Sequence, residues 1–289
     1  MAAILKHTFN PNQKTLFIME VLDQQNEGGN GKSLETVLSE GYSFNMGDYI
    51  SGAFKQFGND AGSYIGFTIL YFVISMVIGA IPFVGTIAGL IVNPPILVGI
   101  YIFARLHKKG SVRSFNNFFD GFKGNWIQYA LQSFVTGLIV ALAVFVVIAP
   151  FFLTTIIELV GNADRLENMQ DQEELQAFML TLLTGKILLG ILLAMLVGSA
   201  IAVLYVFAPM FIAFRGMTFW DAMEASRKVV SKNYVQFLIM MIVLMLIGFV
   251  GVLLCCVGLL VAMPVIYIAI YLAFEEIMGS GDVMENTQL

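Results

Sequence analysis

Three aspartates, Asp48, Asp120 and Asp221, each stand ahead of a long apolar block. Carboxylates at such recurring positions could act as proton acceptors and donors in an enzyme that modifies a lipid headgroup. Aspartate is also favoured at helix starts, where it caps backbone N–H groups and complements the helix dipole. We interpret the three as helix-start residues. We predict no catalytic residues and no enzyme, and we keep a lipid-headgroup enzyme as the second alternative.

Histidine and cysteine are too sparse for the usual chemistry of those side chains. His7 and His107 lie far apart, and Cys255 and Cys256 are adjacent inside an apolar run. A zinc or iron site needs three or four such ligands gathered together. The sequence therefore predicts no metal and no cofactor, and we expect His107 to be a solvated residue of a basic loop.

Nucleotide and nucleic-acid binding have little support. Gly31-Lys32-Ser33 imitates the end of a phosphate-binding loop, but Asn26 occupies the position where the motif requires its first glycine. No basic patch with interleaved aromatic residues is present. We predict no nucleic-acid partner.

A candidate ligand site begins at Asn93-Pro94-Pro95, inside the second apolar block. Two prolines remove two backbone donors and should kink or break the helix, and a broken helix at membrane depth can line a cavity. Gln132 and Ser199 are polar residues of other blocks that could share this cavity. The alternative that we favour is that Asn93 caps a helix starting at Pro94.

The composition indicates that these residues are carried by helices that lie in a membrane. Hydrophobic residues make up 58% of the 289 residues and charged residues 12%, against about a quarter charged in soluble domains. A bilayer-spanning helix needs roughly 20 apolar residues. Six blocks satisfy this, so we predict an all-α, six-helix transmembrane bundle of three hairpins, with spans at about 64–81, 86–104, 126–157, 186–214, 234–254 and 259–274.

The spans divide the chain into a tail at 1–46, a membrane domain at 47–278 and a second tail at 279–289. The first tail is polar, lacks the features of a secretory signal, and should contain one short helix near 33–39. The connection between the third and fourth spans is acidic. Apolar residues recur at helical spacing over 175–182, which predicts a short amphipathic helix that lies on the membrane or extends the fourth span.

Positive charge is distributed unevenly. Of 15 lysines and arginines, all but Arg165 and Lys186 flank the same ends of the predicted spans. Because basic loops stay in the cytoplasm, both termini are predicted to be cytoplasmic. The residues expected to meet the membrane surface there are Lys55, Lys108, Lys109, Arg113, Lys123, Arg227, Lys228 and Lys232.

The first and last predicted hairpins look like copies of each other. Asp48 and Lys55 in one match Asp221 and Lys228 in the other at the same offset, and an apolar run follows each pair. Each copy opens with a segment of mixed polarity, which we call a lead-in, and 119–126 leads into the middle hairpin. We expect the lead-ins to be amphipathic helices in the cytoplasmic headgroup layer, with basic groups toward anionic lipid.

The pattern resembles a group of uncharacterised bacterial polytopic membrane proteins related to the membrane domain found beside some glycerophosphodiester phosphodiesterases. The resemblance rests on three stretches of this sequence: Gly47-Asp48-Tyr49-Ile50 through Lys55, Ile81-Pro82-Phe83-Val84-Gly85, and Ala225-Ser226-Arg227-Lys228-Val229-Val230 with the apolar run ending Cys256-Val257-Gly258. It implies a six-helix bundle in the bacterial inner membrane. It implies no activity, and the soluble phosphodiesterase domain has no counterpart in this sequence.

The residues favour a membrane component without a catalytic site, which binds membrane lipids or a protein partner. The alternative is a small lipid or solute transporter, for which parallel repeats and the prolines at 94 and 95 are the evidence.

The sequence also gives two structural expectations. Glu275 should be solvated at its span end, and small residues should allow close helix packing at Gly185, Gly190, Ala194 and Gly198.

Overall fold

The computed structural model describes residues 32–82, 84–163, 172–254 and 257–279. Within these ranges the chain is helical and contains no strand. The helices are α1 (Leu34–Glu40), α2 (Met46–Asn59), α3 (Ala61–Gly79), α4 (Val84–Lys108), the 3-10 helix η1 (Phe115–Phe122), α5 (Trp126–Gly161), α6 (Gln172–Val203), α7 (Ala208–Arg215), α8 (Phe219–Lys232), α9 (Tyr234–Leu253) and α10 (Leu259–Met278).

Six segments are long and apolar enough to cross a membrane, which confirms the predicted all-α class and the number of candidate spans. They are Ala61–Gly79, Ile87–Lys108, Trp126–Gly161, Ile187–Arg215, Tyr234–Leu253 and Leu259–Met278. At 1.5 Å per residue, the 36 residues of α5 extend about 54 Å. A hydrocarbon core of about 30 Å needs far less.

The prolines act differently from the prediction. Helix α4 continues through Pro94 and Pro95, so Asn93 lies inside a helix and does not cap one. Both the expected break and the favoured cap are wrong, because a helix can lose single backbone bonds and still continue on the bonds around them. The fourth apolar block is instead the interrupted one: α6 ends at Val203 and α7 starts at Ala208, with Pro209 in its first turn.

Two shorter predictions are confirmed. Helix α1 forms where the tail was expected to contain a helix, and Ser33 caps it by accepting a hydrogen bond from the Thr36 N–H (3.1 Å). Helix α6 begins at Gln172, so the stretch 175–182 extends the fourth span. Several residues considered above lie outside the described ranges: His7, Asn26, Gly31, Phe83, Arg165, Cys255, Cys256 and the tail beyond 279.

The structure consists of two bodies, one comprising the described residues up to Gln132 together with those from Val206 onward, and the other Ser133–Tyr205. Aromatic rings fill the core of the first body. The Phe118 ring stacks on Phe67 at 4.3 Å and on Phe103 at 4.0 Å between centroids. Phe207 meets Phe237 and Phe274 edge-on at 5.2 and 5.3 Å.

The second body is formed by α5 and α6, which approach closely at small residues, as expected. A Cβ added to Gly190 would lie 2.7 Å from the Phe151 ring, and one added to Gly198 would lie 3.1 Å from Val144. Ala194 is buried on the same helix. Close approach of this kind is typical of helix pairs in membranes, where small residues allow backbone contact.

The lead-ins bury their apolar faces inside the first body. Tyr49, Ala53 and Phe57 of α2 are buried, and α2 packs against α10. Helix α8 buries a comparable face that includes Met223 and Val229. The middle lead-in overlaps the 3-10 helix η1, which packs along α4. Among these helices, the large apolar side chains left exposed include Phe54 and Trp220.

Candidate functional site

The three aspartates behave mainly as local structural residues. Asp48 and Asp221 lie in the first turns of α2 and α8, as the helix-start interpretation requires. Thr218 caps α8 and donates a hydrogen bond to the Asp221 carboxylate (2.7 Å). Asp120 is different, because it lies toward the end of η1, where it pairs with Lys123 (2.7 Å) and accepts from Asn117 (2.8 Å). The helix-start interpretation is therefore wrong for Asp120.

The residues predicted to line a cavity belong to different helices of the two bodies. Asn93 is half-buried in α4 beside Pro94 and Pro95, and its side-chain oxygen lies 3.5 Å from the Ser75 hydroxyl. Gln132 is buried in the first body. Ser199 belongs to the second body, where it is exposed and donates a hydrogen bond to the Leu196 carbonyl of its own helix (2.9 Å).

Most of the predicted surface cations are exposed, and several of them form ion pairs. Arg113 is half-buried and pairs with Asp60 at 3.1 Å, which ties the loop before η1 to the start of α3. On α8, Glu224 pairs with Arg227 at 2.7 Å and with Lys228 at 3.5 Å. The hydrogen bonds from Arg227 lower the pKa of Glu224. All of the predicted surface cations except Arg113 are exposed: Lys55, Lys108, Lys109, Lys123, Arg227, Lys228 and Lys232.

The structure reveals a buried group that the sequence did not identify, which we call the charged cluster: Arg105, Arg215 and Glu275. These residues are only 6%, 7% and 9% exposed, so the expectation that Glu275 is solvated is wrong. Arg215 has Arg105 and Glu275 as its electrostatic neighbours. The Arg105 guanidinium lies over the Phe214 ring, 4.5 Å from its centroid, a distance typical of a cation–π contact.

Arg215 also joins distant parts of the chain. Its guanidinium donates to the carbonyl of Met278, the last residue of α10, at 2.8 Å, and to the carbonyl of Lys32 at 3.2 Å. The Lys32 N–H in turn donates to the Met278 carbonyl at 2.8 Å. The segment before α1, the end of α7 and the end of α10 therefore meet at one buried arginine.

A polar layer adjoins the charged cluster. Gln56 of α2 donates to the Tyr64 hydroxyl at 3.1 Å and to the Ala104 carbonyl at 2.9 Å. The Tyr271 hydroxyl is fully buried beside Glu275, and no described residue provides it with a well-formed hydrogen bond. His107 is half-buried and its ring stacks on Tyr64 at 6.4 Å, so the expectation of a fully solvated His107 is wrong.

One sequence signal pointed to the charged cluster. Arg105, Arg215 and Glu275 each lie near the last turn of an apolar block that ends on the predicted cytoplasmic side. Isolated charges at equivalent ends of three spans could have suggested a common layer. Lys108, three residues after Arg105, points outward instead, and spacing alone does not separate the two cases.

Next to this layer the surface has an open depression of about 570 Å³, which we call the lysine depression. Tyr42 forms part of its wall, and two hydrogen bonds fix it: its hydroxyl donates to the Val229 carbonyl (2.7 Å), and its own carbonyl accepts from Asn233 (3.1 Å). Burial raises the pKa of Tyr42 well above its usual value, so the hydroxyl stays neutral at ordinary pH. The lining residues are Lys32, Glu40, Gly41, Tyr42, Ser43, Lys232 and Asn233.

Tyr49 stabilises the connection between α1 and α2, part of which lines the lysine depression. It accepts a hydrogen bond from the Asn45 N–H (3.1 Å), and burial raises its pKa to about 12. Asn45 donates to Glu276 of α10 (2.7 Å). The connection between α1 and α2 is thus held to α10 by Asn45 and to the end of α8 by Tyr42. Among the described residues, no three His, Cys, Asp or Glu side chains come together as a metal-binding group.

The fold and site together define a class: among the described residues, an all-α chain with six helices able to span a membrane and a buried polar layer at one end of four of them. No protein-family model matches the chain, and neither does any curated protein or solved structure.

Proposed function

We propose that this chain is a multi-pass protein of the bacterial inner membrane with cytoplasmic termini, which carries no catalytic site and binds membrane lipids through its lead-in helices. Six apolar helices and the one-sided distribution of lysine and arginine support the location. The resemblance to polytopic proteins related to the phosphodiesterase membrane domain supports the bacterial assignment. It does not suggest a reaction.

The observation that carries lipid binding is the outer face of α2 and α8. Each helix is fixed by its buried face, yet Phe54 remains 44% exposed beside Lys55, and Trp220 remains 63% exposed at the start of α8. An exposed ring suits the headgroup layer, where it contacts acyl chains, and the cation beside Phe54 can contact phosphate at the same level. Lysine near an anionic membrane surface contributes about 1 kcal/mol.

Trp220 supplies a direct test, because the chain has only two tryptophans. In a Trp126→Phe variant, Trp220 is the single reporter. After reconstitution into bilayers, we expect lipids brominated near the headgroup end of the acyl chain to quench its fluorescence. We expect soluble iodide to quench it weakly. Strong iodide quenching without bromolipid quenching would place Trp220 in water and contradict this mode of lipid contact.

A matched comparison separates lipid from protein as the partner. Protein purified in mild detergent should retain anionic lipid, and Trp220→Ala with Phe54→Ala should reduce the retained amount. Recovery of a stoichiometric protein with no enriched lipid would replace the lipid proposal by a protein partner. Recovery of the chain alone, with neither lipid nor protein enriched, would contradict both.

A second candidate, a small lipid or solute transporter, has one observation in its favour. Pro94 and Pro95 have no N–H to offer the carbonyls of Leu90 and Ile91, four residues earlier in α4. Leu90 and Ile91 are exposed, and Asn93, which follows Ile91 by two residues, lies 3.5 Å from the Ser75 hydroxyl. Backbone acceptors without helical donors, at membrane depth, are a feature of transport pathways.

Transport predicts a loss on Asn93→Leu, which removes the side-chain polar group and keeps its size. Liposomes containing the wild-type chain should exchange a fluorescent phospholipid between leaflets faster than empty liposomes, and Asn93→Leu should slow that exchange. Ser199→Ala is the control, because the Ser199 hydroxyl is satisfied within its own helix. Exchange no faster than in empty liposomes would remove the lipid-transport candidate.

A further inference from the structure

Two lysines converge on the lysine depression from distant parts of the chain. Lys32 lies just before α1 and Lys232 is the last residue of α8. Both are exposed, and neither ammonium group has an ion pair with any described residue. Glu40 is the one carboxylate in the lining, so the depression has a net positive charge. The remaining lining groups, which include the Ser43 hydroxyl and the Asn233 amide, can donate hydrogen bonds to an anion.

The depression lies where two candidate spans end. Lys232 and Asn233 directly precede α9, whose apolar run starts at Tyr234. The Lys32 N–H donates to the carbonyl of Met278, the last residue of α10. A group bound between the two lysines is therefore at the level where the chain leaves the hydrocarbon. Phospholipid phosphates occupy that level.

We propose that the lysine depression binds a phosphate group between Lys32 and Lys232, with the Ser43 hydroxyl and the Asn233 amide as further donors. This rests on the proposed lipid-binding function and adds a specific headgroup site to it. A lysine ammonium recognises phosphate as a point charge. A phospholipid headgroup and a free phosphate ester share this chemistry, and experiment distinguishes them.

The test compares Lys32→Gln/Lys232→Gln with the matched double variant Lys108→Gln/Lys109→Gln, which removes the same charge from exposed lysines outside both the depression and the lead-in helices. Glutamine leaves the backbone bonds of Lys32 intact. Native mass spectrometry of protein released from nanodiscs of phosphatidylcholine and phosphatidylglycerol measures the anionic lipid retained. We expect the depression variant to lower apparent affinity about 25-fold, or roughly 5-fold per lysine, and the control to lower it far less.

Glu40→Gln should have the opposite effect on lipid retention. Removing the competing carboxylate should increase the amount of phosphatidylglycerol that the protein retains. Glycerol phosphate is then added as a soluble competitor. Displacement of the lipid by it would identify a free phosphate ester as a ligand, and failure to displace would identify the membrane lipid. The variants decide whether the site exists, and the competitor decides which source of phosphate occupies it.

The two proposals fail in different ways. Equal loss of lipid in the depression and control variants would overturn the phosphate site and leave general lipid binding in place. No preference of the wild-type chain for phosphatidylglycerol, together with no bromolipid quenching of Trp220, would overturn the proposed function itself.

Discussion

Replacing Gly99 by alanine is expected to destabilise the first body strongly, although alanine is the better helix former. A Cβ at Gly99 of α4 would overlap the carbonyl oxygen of Phe118 in η1. Gly121 of η1 has the reciprocal relation to α4, since a Cβ there would overlap the carbonyl oxygen of Pro95. In an open helix interior, glycine to alanine gains about 1 kcal/mol. Overpacking a core costs about 1–3 kcal/mol and occasionally more.

The obstructing atoms decide which effect prevails. A side chain in the way could rotate aside, but Phe118 and Pro95 obstruct with backbone. Moving η1 away from α4 would also separate the Phe118 ring from Phe103, on which it stacks at 4.0 Å. We therefore expect Gly99→Ala and Gly121→Ala each to lower the thermal unfolding midpoint in detergent and to increase aggregation.

Gly62 of α3 is the matched control, because a Cβ there would meet nothing within 4 Å. Gly62→Ala should unfold at or slightly above the wild-type midpoint. Tight packing of η1 on α4 would be refuted if Gly99→Ala melted at the same temperature as Gly62→Ala. Size-exclusion chromatography of each variant before heating shows whether the loss occurs during folding or afterwards.

The candidate spans could be predicted because contact with hydrocarbon requires a long run of apolar residues, which is visible in the sequence. A helix facing lipid must be apolar over roughly 20 residues whatever its neighbours are. Trp126–Gly161 and Tyr234–Leu253 satisfy that requirement locally. The Ser33 cap is local in the same sense, since one hydroxyl bonds an N–H three residues later. No tertiary contact is needed to infer either feature.

The candidate site could not be predicted, because it depends on contacts between distant residues. Lys32 and Met278 adjoin Arg215 only after α7 and α10 have packed together. Asn93 shows a failure of local inference: asparagine before two prolines favours a cap locally, yet α4 continues through both prolines. Burial of a charge at a span end depends on the rotation of the helix, which hydropathy does not encode.

Arg215→Met is expected to release the segment before α1 and to destabilise the first body. The substitution removes a charged donor from two backbone carbonyls, at Met278 and Lys32. Hydrogen bonds to charged groups contribute about 1.5–3 kcal/mol each. The change also removes the positive neighbour of Glu275. Breaking a buried charged network by removing one member typically costs about 3–5 kcal/mol.

One term opposes this loss, because Arg215 and Arg105 are buried like charges and removing one relieves their repulsion. Arg215→Lys separates the contributions. It keeps the charge and the repulsion, but the lysine side chain is one bond shorter than the path to the Arg215 Nη2 nitrogen, which donates both hydrogen bonds, so its ammonium is poorly placed to reach the two carbonyls. If the two hydrogen bonds dominate, lysine should be nearly as destabilising as methionine. If charge balance with Glu275 dominates, lysine should restore most of the stability.

Hydrogen exchange of the α1 amides measures whether Arg215→Met releases the segment before α1. The segment before α1 is held by the Lys32 carbonyl on Arg215 and the Lys32 N–H on Met278, so amides of Leu34–Glu40 should exchange faster in Arg215→Met. Arg227→Met is the control, because Arg227 is an exposed arginine paired with Glu224 and such surface pairs contribute about 0–1 kcal/mol. Unchanged exchange in α1 with a lowered unfolding midpoint would show that Arg215 stabilises α7 and α10 without holding the N-terminal segment. The lysine depression, which needs Lys32 in place, would then lose its structural basis.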